Sequence, residues 1–324
     1  MSKITLGIIA AASAATGAAA TALYLSGTKP KAAAAVPAAV PAGIASKHPV
    51  RRKPEEGGPS LVDPTGLFQY GFPGPVADLA TRKLYVSSYD RRTRNPHWVA
   101  EHITPESLSS RDGDRGNSKF LEDESIPPKF RALLKDYFRS GYDRGHQAPA
   151  ADAKFSQAAM DETFYLTNMC PQVGQGFNRD YWAHFEDFCR RLTGHYPSVR
   201  IVTGPLYLPR QHPDGKWRVS YEVVGDPPNV AVPTHFYKVI VAEDGKAGGS
   251  VAVGAFVLPN AVIGNSVKLT EFEVPVEVVE RASGLTFLEK LEEGRRRALC
   301  KEVECSLVMR EFNNASKGER KPRK

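Results

Sequence analysis

From Leu84 onward, apolar and polar positions alternate in short runs, and between those runs the apolar residues recur at three- and four-residue intervals. The alternation over Leu84–Tyr89 and Trp98–Ile103 predicts two strands. Arg200–Gly204, Trp217–Val224, Thr234–Ala242 and Ser250–Leu258 are rich in β-branched residues and bounded by Gly or Pro, so they read as central strands of a sheet. Phe164–Gln172 is a further β-like run, closed by Pro171. Trp182, Phe185, Phe188, Cys189 and Leu192 repeat with helical period, which predicts a helix from about Asn178 to Leu192 with one core-facing stripe. Helical spacing also marks Phe130–Phe138 and Leu285–Leu291, while Phe272–Val279 reads as a connecting segment and Ala158–Thr163 as a turn or helical cap. The pattern is that of a mixed α+β body, and no internal repeat interrupts it.

The first 60 residues follow another pattern. No Asp or Glu occurs before Glu55, whereas Lys and Arg recur from Lys3 to Lys53. Within this stretch Ile4–Leu25 is an Ala- and Gly-rich apolar run, about the ~20 residues that cross a bilayer. A secretory signal shares the positive start, but its apolar core is usually shorter, about 7–15 residues. The long run and the extended acid-free flank fit a mitochondrial targeting segment joined to a membrane-sorting or anchoring stretch, followed by an Ala/Pro-rich linker that cannot build a core. The resulting organisation is a leader over 1–60, one domain over 61–312 and a basic tail over 313–324.

The chain has 324 residues, a formal charge of +7 and a pI near 9.1. That balance suits an acidic polymer such as nucleic acid, because each phosphate contact releases counterions. The four cysteines, Cys170, Cys189, Cys300 and Cys305, form no Cys-x-x-Cys pair and sit beside no His at zinc-finger spacing. They read as thiols or small packed hydrophobes. Asp112-Gly-Asp-Arg-Gly-Asn117 invites a calcium-loop reading, but its Gly is out of register and no Glu closes the loop, so a surface loop is the better reading.

The chemistry concentrates in Asp143-Arg-Gly-His-Gln-Ala-Pro-Ala-Ala-Asp152. Gly145 allows a turn that a Cβ would obstruct, and Pro149 discourages helix, so His146 is expected on an extended, exposed segment. An imidazole near its reference pKa of ~6.5 can take a proton from water at working pH. Arg144 can brace a phosphate through its guanidinium fork, or pair with Asp143 or Asp152. Parts of this kind cleave phosphodiesters.

Together with Gln175-Gly-Phe-Asn-Arg-Asp-Tyr-Trp182, Ser88–Val99 and Glu280–Leu285, the Asp-Arg-Gly-His motif resembles the DNA/RNA non-specific endonuclease family, in its branch of mitochondrial endonuclease G and fungal counterparts. The resemblance runs from about Leu67 to Phe312. It implies a ββα-metal (His-Me finger) nuclease with a central, mostly antiparallel sheet flanked by helices. It further implies His146 as general base and Asn178 as the sole direct protein ligand of a Mg²⁺ ion, for which Mn²⁺ may substitute. A single amide suits a cation that keeps most of its waters. Glu186, eight residues on and roughly 80° round if the helix is continuous, would hold those waters. Arg94 and Arg144 would face the phosphate, and Asn168 and Asp143 would support the site. The implied substrates are DNA and RNA, single or double stranded, cut to leave 5′-phosphate and 3′-hydroxyl ends by a homodimer. Rival readings are a nucleic-acid or membrane-docked scaffold without turnover, and a phosphodiesterase of small nucleotides.

Overall fold

The computed structural model describes residues 77–309. The leader, its apolar run Ile4–Leu25, the first part of the expected domain and the basic tail lie outside the described residues. The described chain opens with β1 (Asp78–Thr81), β2 (Tyr85–Asp90) and β3 (Asn95–Ile103), then reaches the short helix α1 (Leu134–Tyr137). Next come β4 (Asp143–His146), α2 (Gln157–Glu162), β5 (Met169–Gln172), α3 (Tyr181–Arg191) and β6 (Ser198–Leu206). An excursion carries four two-residue strands, β7 (Arg210–Gln211), β8 (Trp217–Arg218), β9 (Val223–Val224) and β10 (Val230–Ala231). The chain then returns through β11 (His235–Glu243), β12 (Val251–Pro259), β13 (Glu273–Val274), α4 (Val276–Ser283), β14 (Arg296–Ala298) and α5 (Leu299–Glu302).

Eight of these strands form one sheet in the order β1-β2-β3-β6-β11-β12-β13, with β14 added alongside β12. Every pairing is antiparallel except β12 with β14. Alternation then sorts the side chains by face. Phe236 and Ile240 of β11 turn toward α3, whose Trp182, Phe185 and Phe188 pack with them and with Phe256 of β12. Tyr237 and Val239 turn to the opposite face, where Val279 of α4 covers them. The fold is thus α+β, a mostly antiparallel sheet with helices on both faces.

Trp182 anchors the α3 side, 1% exposed and touching the rings of Phe177 at 5.5 Å, Phe236 at 5.6 Å and Phe185 at 5.9 Å. The Lys238 ammonium, itself buried, lies 4.8 Å over the same indole and donates to Thr203 Oγ1 at 2.9 Å. Trp182→Ala is expected to cost about 3–5 kcal/mol of folding stability. Urea unfolding measures this, and an unchanged midpoint would contradict the packing account.

Several elements depart from expectation. Trp217–Val224 is no central strand: Trp217, Val219, Tyr221 and Val223 are all exposed, on a peripheral excursion whose hairpin turns at Asp214-Gly215. The helix expected at Leu285–Leu291 is irregular chain, and Phe272–Val279, expected as connection, carries β13 and the start of α4. Helical structure within Phe130–Phe138 is confined to α1 and the single turn Pro128–Phe130. Cys300 and Cys305 are joined by a disulfide, against the expectation of four thiols; Cys170 and Cys189 are buried thiols. Cys300 lies in α5 and Cys305 in the chain just after it, with Cα atoms 5.2 Å apart.

Candidate active site

β4 and β5 stand apart from the large sheet as a two-stranded antiparallel ribbon, with His146 opposite Met169 and Gly145 opposite Cys170. His146 is therefore on extended chain as expected, but it is buried, 7% exposed. Its ring meets Phe164 edge-on at 4.8 Å and Phe120 at 5.8 Å. Gly145 lies within the strand rather than at a turn. A Cβ there would lie 2.0 Å from Gln172 Oε1, so glycine is required by the side chain crossing it from β5. Burial drives the His146 pKa well below its usual 6.5, and the nearby Arg115 charge adds to that. The imidazole is neutral at neutral pH.

After β5 the chain makes a wide turn, Gly174–Asn178, closed by Asn178 N–H donating to Val173 O at 2.9 Å and Arg179 N–H to Gly174 O at 3.1 Å. Gly176 takes φ +83° there, and Asp180 turns its carboxylate back onto Gly176 N–H. α3 consequently starts at Tyr181, not at Asn178. Asn178 Nδ2 donates to Asp143 Oδ2 at 2.9 Å, while Arg179 Nε and Nη2 hold Asp143 Oδ2 and Oδ1 at 2.7 and 2.6 Å. Burial alone would raise the Asp143 carboxyl; the bonds from Arg179 and Asn178 outweigh it and hold it below the usual range. Asn178 Oδ1 makes no hydrogen bond to a described residue.

These groups line one cleft of ≈ 730 Å³ together with Arg144, Arg115 and Glu186. The Arg144 guanidinium rests 4.2 Å over the Phe120 ring, and Arg115 lies 5.3 Å over Phe164. The pairing alternative for Arg144 does not hold, because Asp143 is taken by Arg179 and Asp152 by Arg190. Glu186 projects from α3 into the cleft. Burial raises its pKa to about 7 against the opposing charges of Lys238 and Arg190. Among the described residues no three His, Cys, Asp or Glu side chains form a metal cage. An amide oxygen without a protein hydrogen bond, on a residue that lines a cleft together with Glu186, fits a hydrated hard cation such as Mg²⁺, which takes few protein ligands.

A ribbon carrying Asp-Arg-Gly-His, followed by a helix that brings an acid back to it, is the arrangement the sequence pointed to, and the family comparison decides it. The model of the DNA/RNA non-specific endonuclease family matches residues 63–294. The chain belongs to that family. The mitochondrial nuclease of Saccharomyces cerevisiae is 61% identical over 280 residues, covering 84% of this chain and 85% of its own. Human mitochondrial endonuclease G is 48% identical over 222 residues, covering 68% and 73%. A crystal structure of an EndoG/EndoGI complex superposes with TM-score 0.66 at 49% identity, covering 74% of this chain and 97% of that one.

In this non-specific endonuclease the sequence-derived site residues do not all converge. His146, Arg144, Asp143, Asn178 and Glu186 line the cleft. Arg94 does not. It sits in the β2–β3 turn at φ +55°, and its guanidinium donates to Arg92 O at 3.1 Å and Lys129 O at 3.3 Å, which holds it on the hairpin. Asn168 is fully buried in a tight turn just before β5 rather than on a strand. Its Oδ1 accepts from Ala148 N–H at 2.9 Å and its Nδ2 donates to Ala148 O and Thr163 O at 3.0 and 2.8 Å. It braces the chain just past His146 and reaches no cleft. Arg115 and Arg179 escaped the sequence reading. The signal for Arg115 was a lone arginine between two glycines in the loop weighed only for calcium; Arg179 directly follows Asn178.

Proposed function

We propose that this protein is a Mg²⁺-dependent endonuclease that hydrolyses internal phosphodiester bonds of DNA and RNA. The observation that carries the reading is the juxtaposition, in one cleft flanked by arginines, of a neutral His146 and the uncommitted amide oxygen of Asn178. His146 accepts the proton of the attacking water. Arg144, held on Phe120, and Arg115 neutralise the non-bridging oxygens. Asn178 would provide the direct ligand for the cation, and Glu186 would support it from α3. When bound, the cation supplies positive charge against the phosphate and the departing 3′-oxygen. The ends left are a 5′-phosphate and a 3′-hydroxyl. Mn²⁺ is expected to substitute.

None of these groups is placed to read a base, and contacts to phosphate carry no sequence information. The expected substrates are therefore DNA and RNA, single and double stranded. Closed circular plasmid and a long single-stranded RNA should both be cut at internal positions in Mg²⁺, with a dinucleotide cut far more slowly. A preference for the dinucleotide would favour the small-nucleotide phosphodiesterase instead.

Arg115 supplies a test of the phosphate role. It is exposed and cleft-lining, so Arg115→Ala should weaken binding of all sequences alike and lower the salt dependence of binding by about one counterion. Fluorescence anisotropy over a salt series measures this, and an unchanged slope would remove Arg115 from the phosphate.

The acid-free leader and the mitochondrial names of the relatives support residence in the mitochondrion, with Ile4–Leu25 directing the chain to the inner membrane or intermembrane space. Activity on nuclear DNA would then require release, as in cell death. Mature protein outside mitochondria of unstressed cells would contradict this. A homodimer is the expected assembly, and a monomeric mass by light scattering would exclude it.

A further inference from the structure

We infer that Arg179 is a positioning residue which, acting through Asp143, determines which end of the Asn178 amide faces the cleft. This rests on the reading of Asn178 as a cation ligand. A primary amide can rotate to exchange its oxygen and nitrogen, and the neighbours decide which orientation prevails. Here the neighbour is a carboxylate, which only accepts. With Nδ2 against Asp143 Oδ2 at 2.9 Å the amide donates, and Oδ1 is left for the cleft. The reversed amide would set oxygen against oxygen and turn an NH₂ group toward the cation.

That preference is only as firm as the carboxylate. Arg179 takes both Asp143 oxygens with a two-pronged fork at 2.7 and 2.6 Å, so Asp143 is held where Asn178 needs it. The backbone is built around the pair. A Cβ at Gly174 would lie 2.8 Å from Arg179 Nη2 and 3.0 Å from Asp143 Oδ2, so a side chain there would displace both. The wide turn before α3 serves the same end. In a continuous helix, consecutive side chains diverge by roughly 100°, whereas this turn sets Asn178 and Arg179 on one carboxylate.

The Arg179 side chain is 54% exposed and lines the cleft, so direct contact with phosphate is the competing role. The two roles separate when cation binding and polymer binding are measured independently. Mn²⁺ binding to the full-length chain, without nucleic acid, can be followed by electron paramagnetic resonance of the free ion. Wild type, Asn178→Ala, Arg179→Met, Asp143→Asn and the Arg179→Met/Asp143→Asn double variant would be compared. A fluorescein-labelled oligonucleotide in EDTA reports polymer affinity. Circular dichroism identifies any variant that fails to fold, and Arg179→Lys, which keeps the charge but loses the fork, stands in for Arg179→Met if that variant does not fold.

Arg179→Met and Asp143→Asn are each expected to weaken Mn²⁺ binding by about 10–100-fold, the range for groups that orient a metal ligand. The double variant should be no weaker than Asp143→Asn alone, since Arg179 acts through that carboxylate. Oligonucleotide affinity in EDTA should change less than about twofold on Arg179→Met if the residue makes no phosphate contact. Wild-type Mn²⁺ affinity in Arg179→Met, or a loss confined to the oligonucleotide, would overturn the inference while leaving Asn178 as ligand. Equal Mn²⁺ binding by wild type and Asn178→Ala would overturn the cation reading and this inference with it.

Discussion

His146→Ala is expected to lower kcat for plasmid and RNA cleavage by about 10²–10⁴-fold, the usual contribution of a positioned general base. Polymer affinity should remain near wild type, because Arg144 and Arg115 rest on the Phe120 and Phe164 rings rather than on the imidazole. The pH profile carries a second part of this prediction. Burial and the Arg115 charge push the His146 pKa well below 6.5, so protonation of the base moves to lower pH than for a free imidazole. Glu186, raised to about 7 by burial, gains a proton as pH falls from about 8 to 6, and under the proposed function its ionised form would be the one that supports the cation. Activity should therefore decline as pH falls through about 7 at low Mg²⁺, and the decline should move to lower pH as Mg²⁺ rises, since a bound cation favours the carboxylate. An acid limb near 6.5 that ignores Mg²⁺ would return control to His146 and contradict the burial argument.

Asn178→Ala removes the one protein oxygen that the account gives to the cation. The rate at fixed Mg²⁺ should fall by about 10²–10³-fold. Excess Mn²⁺ should restore part of it, because the loss lies in occupancy as well as in geometry. Asn178→Asp is not expected to rescue activity at neutral pH. The new carboxylate would set an oxygen against Asp143 Oδ2, which now accepts from Nδ2 at 2.9 Å. Two adjacent carboxylates that cannot both stay ionised would share a proton or draw apart. A fully active Asn178→Asp would show that Asp143 does not govern the orientation of residue 178.

The sheet was legible in the chain because β2 and β3 alternate apolar and polar residues, while β11 and β12, buried on both faces, are near-continuous β-branched and apolar runs. α3 was legible through its Trp182–Phe185–Phe188 stripe. Its start was not, because apolar period ignores backbone breaks: Gly176 at φ +83° and the Asp180 carboxylate folded onto Gly176 detach Asn178 from the helix. Trp217–Val223 shows the converse. Its β-branched residues named a central strand, yet Trp217, Val219, Tyr221 and Val223 face solvent on a peripheral excursion, so composition misplaced it. Val276–Ser283 hid its helix behind β-branched residues, and tertiary packing of Val279 overrode that propensity.

The site divides along similar lines. His146 was found through its Asp-Arg-Gly-His motif, and Asn178 and Glu186 through the resemblance that motif carries; the fold brings all three to one cleft. Arg94 was chosen through the resemblance and Arg115 was passed over as part of a surface loop. The tertiary path delivers Arg115 over Phe164 in the cleft and ties Arg94 to the Lys129 carbonyl on the hairpin. For Arg179 the only signal was its place after Asn178, since its partner Asp143 lies 36 residues earlier.

The most direct test is cleavage of supercoiled plasmid and single-stranded RNA by the full-length protein in Mg²⁺ or EDTA, with wild type, His146→Ala and Asn178→Ala side by side. Wild type is expected to cut both polymers internally in Mg²⁺ and neither in EDTA, and both variants to lose most of the rate. Binding of both polymers without cutting, or undiminished cutting by either variant, would contradict the proposed function.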